Sequence, residues 1–116
     1  MLADDLHQLM SGQAVHLQAY RPHPGQETSS KTYQYQGEDV VLIEGVVALA
    51  TEELRSLAHY KVFMSIKEET LKKRFEAFYR WKEFEKAEMD KLWQTRWQNE
   101  YQPIATNEKH ADLVVA

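Results

Sequence analysis

"DVVLIEGVVAL" (residues 39–49) is the stretch on which the fold turns. Four apolar residues, Val40 to Ile43, run without a break; Glu44 follows, and Gly45 opens a second apolar run. A short continuous apolar run bounded by turn residues predicts a strand covered on both faces, as in a parallel sheet. Two more runs fit that description, "YKVFMSI" (residues 60–66) and "ADLVV" (residues 111–115). Helical patterns separate the three. The expected fold class is therefore α/β, a small three-layer sandwich around a short, mainly parallel sheet.

Working outward, residues 3–11 predict a helix with Leu6, Leu9 and Met10 on one face, stopped at Ser11-Gly12. Val15, Leu17 and Ala19 alternate with polar residues, and "TYQYQ" (residues 32–36) reads as a second strand. Together they predict an N-terminal β-hairpin around the loop "RPHPGQETSSK" (residues 21–31). After Gly45 the chain is expected to be helical, with Thr51 as an N-cap ahead of Glu53. A helix is expected from Lys67 to about Lys82, with Leu71, Phe75 and Phe78 on its stripe. A second is expected from Lys86 to Tyr101, carrying Met89, Leu92, Trp93 and Arg96 and ended by Pro103.

At 116 residues the chain is expected to be one domain, with residues 1–37 as helix and hairpin and 38–116 as the core. A hydrophobic content of 43% and a charged content of 28% are those of a globular protein. The net charge of −4 disfavours a nucleic-acid partner. Acids dominate before residue 60, and Lys and Arg cluster between Lys61 and Arg96. There is no cysteine, which excludes disulfides and thiolate metal sites. No apolar run reaches the length of a membrane span, and the acidic N-terminus is unlike a signal peptide, so a cytoplasmic location without a membrane partner is expected.

Three features carry chemistry, and each has two readings. Glu44, at the carboxyl end of a strand, is either a magnesium-associated carboxylate at the ligand edge of an open α/β sheet, or a helix-start acid or lysine partner. "LKKRFEAFYRWK" (residues 71–82) is either a set of cations that clamps phosphates or a solvated amphipathic helix with pairs such as Lys72–Glu76. Arg96 and Glu100, spaced i, i+4, are either a structural ion pair or face a ligand. Tyr79, Trp81, Trp93 and Trp97 are most simply core or interface residues. The five histidines lack a ligand spacing.

Taken in order, "DVVLIEGVVAL", "YKVFMSI", "LKKRFEAFYRWK" and "HADLVVA" resemble the C-terminal half of uridine kinase-like P-loop nucleoside kinases, over roughly residues 38–116. "LHQLMSGQAVHLQAY" resembles the family's segment leading into a Pro-x-Tyr-Asp motif. The resemblance implies ATP and magnesium as cofactors. It implies Glu44 as the carboxylate that helps place magnesium, Arg74, Arg80 and Lys82 as lid residues over the phosphates, and Tyr20 as the aromatic of the base-binding hairpin. Ala19 and Arg21 stand where the motif has Pro and Asp, and "FYRWKEF" replaces the usual Arg-Asp lid pairing.

The sequence contains no G-x-x-x-x-G-K-[ST], the loop whose backbone N–H groups and lysine hold a triphosphate, and its four glycines cannot form one. The resemblance thus implies a truncated kinase-like chain, inactive alone, with residual nucleotide or phosphate binding. The alternatives are a small dimeric binding or assembly protein and one half of a phosphotransferase. In the family's strand order the phosphate-loop strand lies between the strand ending in Glu44 and that at 61–66. The gap is expected to close by direct pairing of the flanking strands, by a homodimer, or by a separate chain.

Overall fold

The computed structural model describes residues 2–18 and 29–116. The chain divides into two compact units, Met1–Glu44 and Gly45–Ala116. Helix and strand are mixed, with an antiparallel hairpin and a short parallel sheet, as a small α/β fold requires.

The first unit opens with helix α1 (Leu2–Met10), which has Asp4 and Asp5 in its first turn, where the helix dipole favours acids. Gly12, at φ 90, ends it, its N–H donating to the Leu9 carbonyl at 3.0 Å. Strands β1 (Val15–Gln18) and β2 (Ser30–Tyr33) pair antiparallel, Val15 opposite Tyr33 and Gln18 opposite Ser30. The second strand begins two residues earlier than "TYQYQ" suggests, so Ser30 and Lys31 belong to the ladder instead of the loop. His16 Nδ1 and Thr32 Oγ1 share a cross-strand hydrogen bond of 2.7 Å.

The main correction concerns Val40 to Ile43. This run forms no strand and pairs with no other among the described residues. Val40 is 78% exposed and Leu42 84%. An apolar run becomes a strand only when a neighbour satisfies its backbone groups, and here none does. The turn before it is well made: Gln36 N–H donates to Glu38 Oε2 at 2.7 Å and the Tyr35 hydroxyl to the Glu38 carbonyl at 2.6 Å.

In the second unit, residues 45–50 make turns where a helix is expected, and helix α2 covers only Glu52–Leu57. Thr51 takes the N-cap position, although its hydroxyl makes no capping bond. Strand β3 (Val62–Met64) pairs in parallel with β4 (Leu113–Val115), Val62 opposite Leu113 and Met64 opposite Val115. The two ends of this ladder are tied by name. Lys61 N–H donates to Asp112 Oδ2 at 2.8 Å, Asp112 N–H donates back to the Lys61 carbonyl at 2.8 Å, and Ser65 N–H donates to the Val115 carbonyl at 2.7 Å.

Helices α3 (Glu68–Trp81) and α4 (Lys86–Arg96) form a hairpin inside the β3–β4 crossover. Its core is Phe75, Tyr79, Met89 and Trp93, with Leu71, Leu92, Trp97 and Tyr101 packed against it. The stripe on α3 is thus 71–75–79, whereas the expected Phe78 is 46% exposed. Phe75 meets Tyr79 at 4.5 Å between ring centroids and Trp93 edge-on at 5.2 Å. Such pairs add about 0.5–1.5 kcal/mol each beyond the area they bury. Pro103 does not end the helical run. A π turn (Trp97–Tyr101) precedes it, with Gln102 N–H reaching the Trp97 carbonyl, and helix α5 (Gln102–Ala105) and a 3₁₀ turn (Thr106–His110) follow. A π turn re-aims the carbonyls that a mid-helix proline would otherwise strike, so the helical run continues past Pro103.

Candidate functional site

The candidate site lies on the α3–α4 hairpin, where the sequence concentrates its cations beside its aromatics. The helices are joined by a tight turn in which Glu83 takes φ 63. Glu83 N–H donates to the Arg80 carbonyl at 2.9 Å and Phe84 N–H to the Tyr79 carbonyl at 3.0 Å. The Phe84 ring closes on Tyr79 at 4.9 Å. These bonds are those of a left-handed helix C-cap with its accompanying apolar contact.

This turn sets the geometry of an open groove of about 420 Å³ between the helices, lined by Glu76, Arg80, Phe84, Lys86, Met89 and Asp90. Glu76 and Arg80 are four apart on α3, as are Lys86 and Asp90 on α4. None of the four charges forms an ion pair among the described residues. Two cations and two carboxylates beside an aromatic edge make a dipolar surface with no net positive charge. Such a groove can orient a ligand bearing both charges, but it does not concentrate a polyanion.

Of the residues singled out from the sequence, Arg80 lines this groove. Arg74 and Lys82 do not share its face. At 100° per residue, they lie about 120° and 160° around the helix from Arg80. Lys82 rests its Nζ 4.8 Å above the Phe78 ring, and Trp81 beside it is 76% exposed. Of the three cations singled out, Arg80 lies in the groove, and Arg74 and Lys82 lie on an exposed aromatic face. Glu44 is exposed and belongs to the other unit. Tyr20 lies outside the described residues.

The remaining charges behave as structural pairs. Lys73 bonds Glu69 at 2.8 Å, and this pair, not Lys72–Glu76, laces the exposed face of α3. Such an exposed i, i+4 pair is worth about 0.3–0.5 kcal/mol. Arg96 sits 3.8 Å from Glu100, its guanidinium 5.7 Å from the Tyr79 ring centroid. Burial pushes the Arg96 pKa down, but the Tyr101 hydrogen bond and the charges of Tyr79, Glu100 and Tyr101 outweigh it and carry it up. Among the described residues no three His, Asp or Glu side chains gather as metal ligands. Glu44 offers one carboxylate, which fits magnesium only where nucleotide phosphates supply the other oxygens.

Comparison with known proteins adds one distant relation. The chain is similar to uridine kinases. It is 30% identical over 64 residues to the uridine kinase of Streptococcus gordonii strain Challis, a match covering 55% of this chain and 30% of that protein. The uridine kinases of Streptococcus pneumoniae strains Hungary19A-6 and CGSP14 match equally, 30% identical over 64 residues. The aligned part spans less than a third of the length of these relatives. No family model matches the chain. The relation is distant and points to a nucleoside-kinase-like origin.

Sequence reasoning missed Phe84, Lys86 and Asp90 as groove residues. The spacing of Lys86, Met89 and Asp90 at i, i+3 and i+4 was a usable signal for one face of α4. What it could not reveal was the left-handed turn at Glu83 that swings that face toward Arg80.

Proposed function

We propose that this chain is a nucleoside-kinase-like scaffold without phosphotransfer activity of its own, retaining weak affinity for nucleotides or phosphate. The observation that carries this reading is the 30% identity to uridine kinases over 64 residues. It is supported by a sequence that holds no phosphate loop and by a parallel β3–β4 ladder of the kind nucleotide-handling folds use. Arg74 and Lys82 would meet the phosphate oxygens of a ligand on the exposed face of α3, and Arg80 would offer a separate contact in the groove. Glu44 would be the carboxylate facing the magnesium that accompanies a nucleotide, and Tyr20 would stack on a base. A cytoplasmic setting belongs to the same proposal; no helix among the described residues is long and apolar enough to cross a membrane.

A second reading is favoured by a separate observation. Val40, Leu42, Val46, Val62, Met64 and Leu113 are all more than 40% exposed, which is unusual for residues of strand-forming type. A binding or assembly protein that works as a dimer, or one half of a phosphotransferase completed by a separate chain, would cover them.

Equilibrium binding of a fluorescent ATP analogue with magnesium tests the first reading. Weak, salt-sensitive binding is expected, reduced at least threefold by the combined Arg74→Ala, Arg80→Ala and Lys82→Ala changes. Absence of saturable binding, or binding indifferent to the three changes, would remove the nucleotide from the proposal.

A further inference from the structure

Among the described residues, neither outer edge of the two-stranded parallel ladder, that of β3 or that of β4, carries another strand. Lys61 and Ser65 turn their backbone groups toward β4, through the Asp112, Leu113 and Val115 bonds. In a strand the backbone groups alternate sides from one residue to the next. Val62 and Met64 therefore present their N–H and C=O groups to the opposite edge. No described strand pairs there. Their side chains are 43% and 70% exposed, although parallel strands are as a rule covered on both faces.

The same chain carries an unpaired run that suits this edge. Val40, Val41, Leu42 and Ile43 are apolar and mostly β-branched, and the first three are exposed. Charge matches as well, with Lys61, whose Nζ lies 3.3 Å from Asp112 Oδ2, shared between two carboxylates. The run is bracketed by Asp39 and Glu44, and β3 by Lys61 and Lys67. Set in parallel with Val40 beside Val62, Asp39 falls opposite Lys61, Leu42 opposite Met64, and Glu44 next to Lys67. Gly45, at φ 137, stands where the two units divide, at a backbone angle that side-chain-bearing residues rarely adopt.

We infer that two copies of this chain complete each other's sheet, residues 40–43 of one copy adding as a parallel strand to the open edge of β3 in the other. Each copy offers such a run, and the lysines beside β3 favour its edge over that of β4, which Asp112 directly precedes, so a twofold exchange satisfies the run and the β3 edge of both copies. The inference deepens the dimer reading above and rests on it, while standing apart from nucleotide binding.

The absence of native cysteine makes the test clean. Leu42→Cys and Met64→Cys are made as separate single variants, mixed in equal amounts and mildly oxidised. A covalent pair containing one chain of each kind, enriched at least fivefold over either variant alone, is the expected result. The double variant, oxidised at high dilution, supplies the counter-test. An internal disulfide in a monomer would show that each chain closes its own sheet and would overturn the exchange. Leu42→Lys keeps the measurement independent of cysteine chemistry. Leu42 is 84% exposed, so the fold is expected to survive with unchanged circular dichroism while light scattering drops from two chains to one. A wild-type chain that scatters as a monomer throughout would equally overturn it. Cross-linking without nucleotide affinity would leave the exchange standing and remove only the kinase-like binding.

Discussion

Glu83 shows how a single position governs the candidate groove. It holds φ 63 at the end of α3, a conformation that glycine adopts freely and a side chain with a Cβ does not. The bonds from Glu83 and Phe84 back to Arg80 and Tyr79 keep it there. Glu83→Gly is expected to raise stability by up to about 1 kcal/mol, the strain relieved less the extra freedom of an unfolded glycine. Urea unfolding followed by tryptophan fluorescence would measure it. A loss of stability would mean that the glutamate makes a compensating contact. The tryptophans are suited to the measurement, because Trp93 is buried and stacks on Trp97 with centroids 5.6 Å apart.

Among the elements, the β3–β4 ladder is tied at one end by the Asp112 side chain, which accepts from the Lys61 backbone N–H and pairs with its ammonium. The Asp112 pKa is lowered, first by the Lys61 backbone N–H, then by the Lys61 side chain; partial desolvation opposes both. A carboxyl whose folded pKa lies below its ordinary value of 3.8 contributes fully above that value, and its contribution is lost as pH falls through the lowered one. The melting temperature is therefore expected to fall on acidification below about pH 4, the usual carboxylate range. In Asp112→Asn part of that loss should already be present at neutral pH, and the acid decline should be shallower. Equal acid declines in both proteins would place the effect elsewhere. The ladder itself was legible in "YKVFMSI" and "ADLVV", because uninterrupted apolar runs flanked by helices have few other uses. The hairpin was legible from alternation around Val15 and Leu17. The run at 40–43 carried the same local signal and misled, since strand formation needs a partner that composition cannot reveal. The α3 stripe slipped from Phe78 to Tyr79 because both are aromatic, and only the position of α4 decides which is covered. Pro103 read as a stop because the π turn that lets the helix pass it has no short-range signature.

Across the whole chain, two compact units carry different burdens. The hairpin unit holds the apolar run that pairs with no described strand, and the helical unit holds the aromatic core, the groove and the open edges of the parallel ladder. Of the site expected from the family resemblance, the cations of α3 are present but divided between two faces, and the carboxylate at Glu44 lies in the other unit. Phosphoryl transfer depends on positioning and on charge neutralisation together, which a phosphate loop supplies in P-loop kinases. The distant similarity to uridine kinases and the lack of that loop in this sequence lead to one expectation. The most direct measurement is a coupled assay of phosphate transfer from ATP with magnesium to uridine and cytidine, run beside an active uridine kinase in the same buffer. The isolated chain is predicted to give no turnover above background while the control turns over. Measurable turnover by this chain alone would contradict the account.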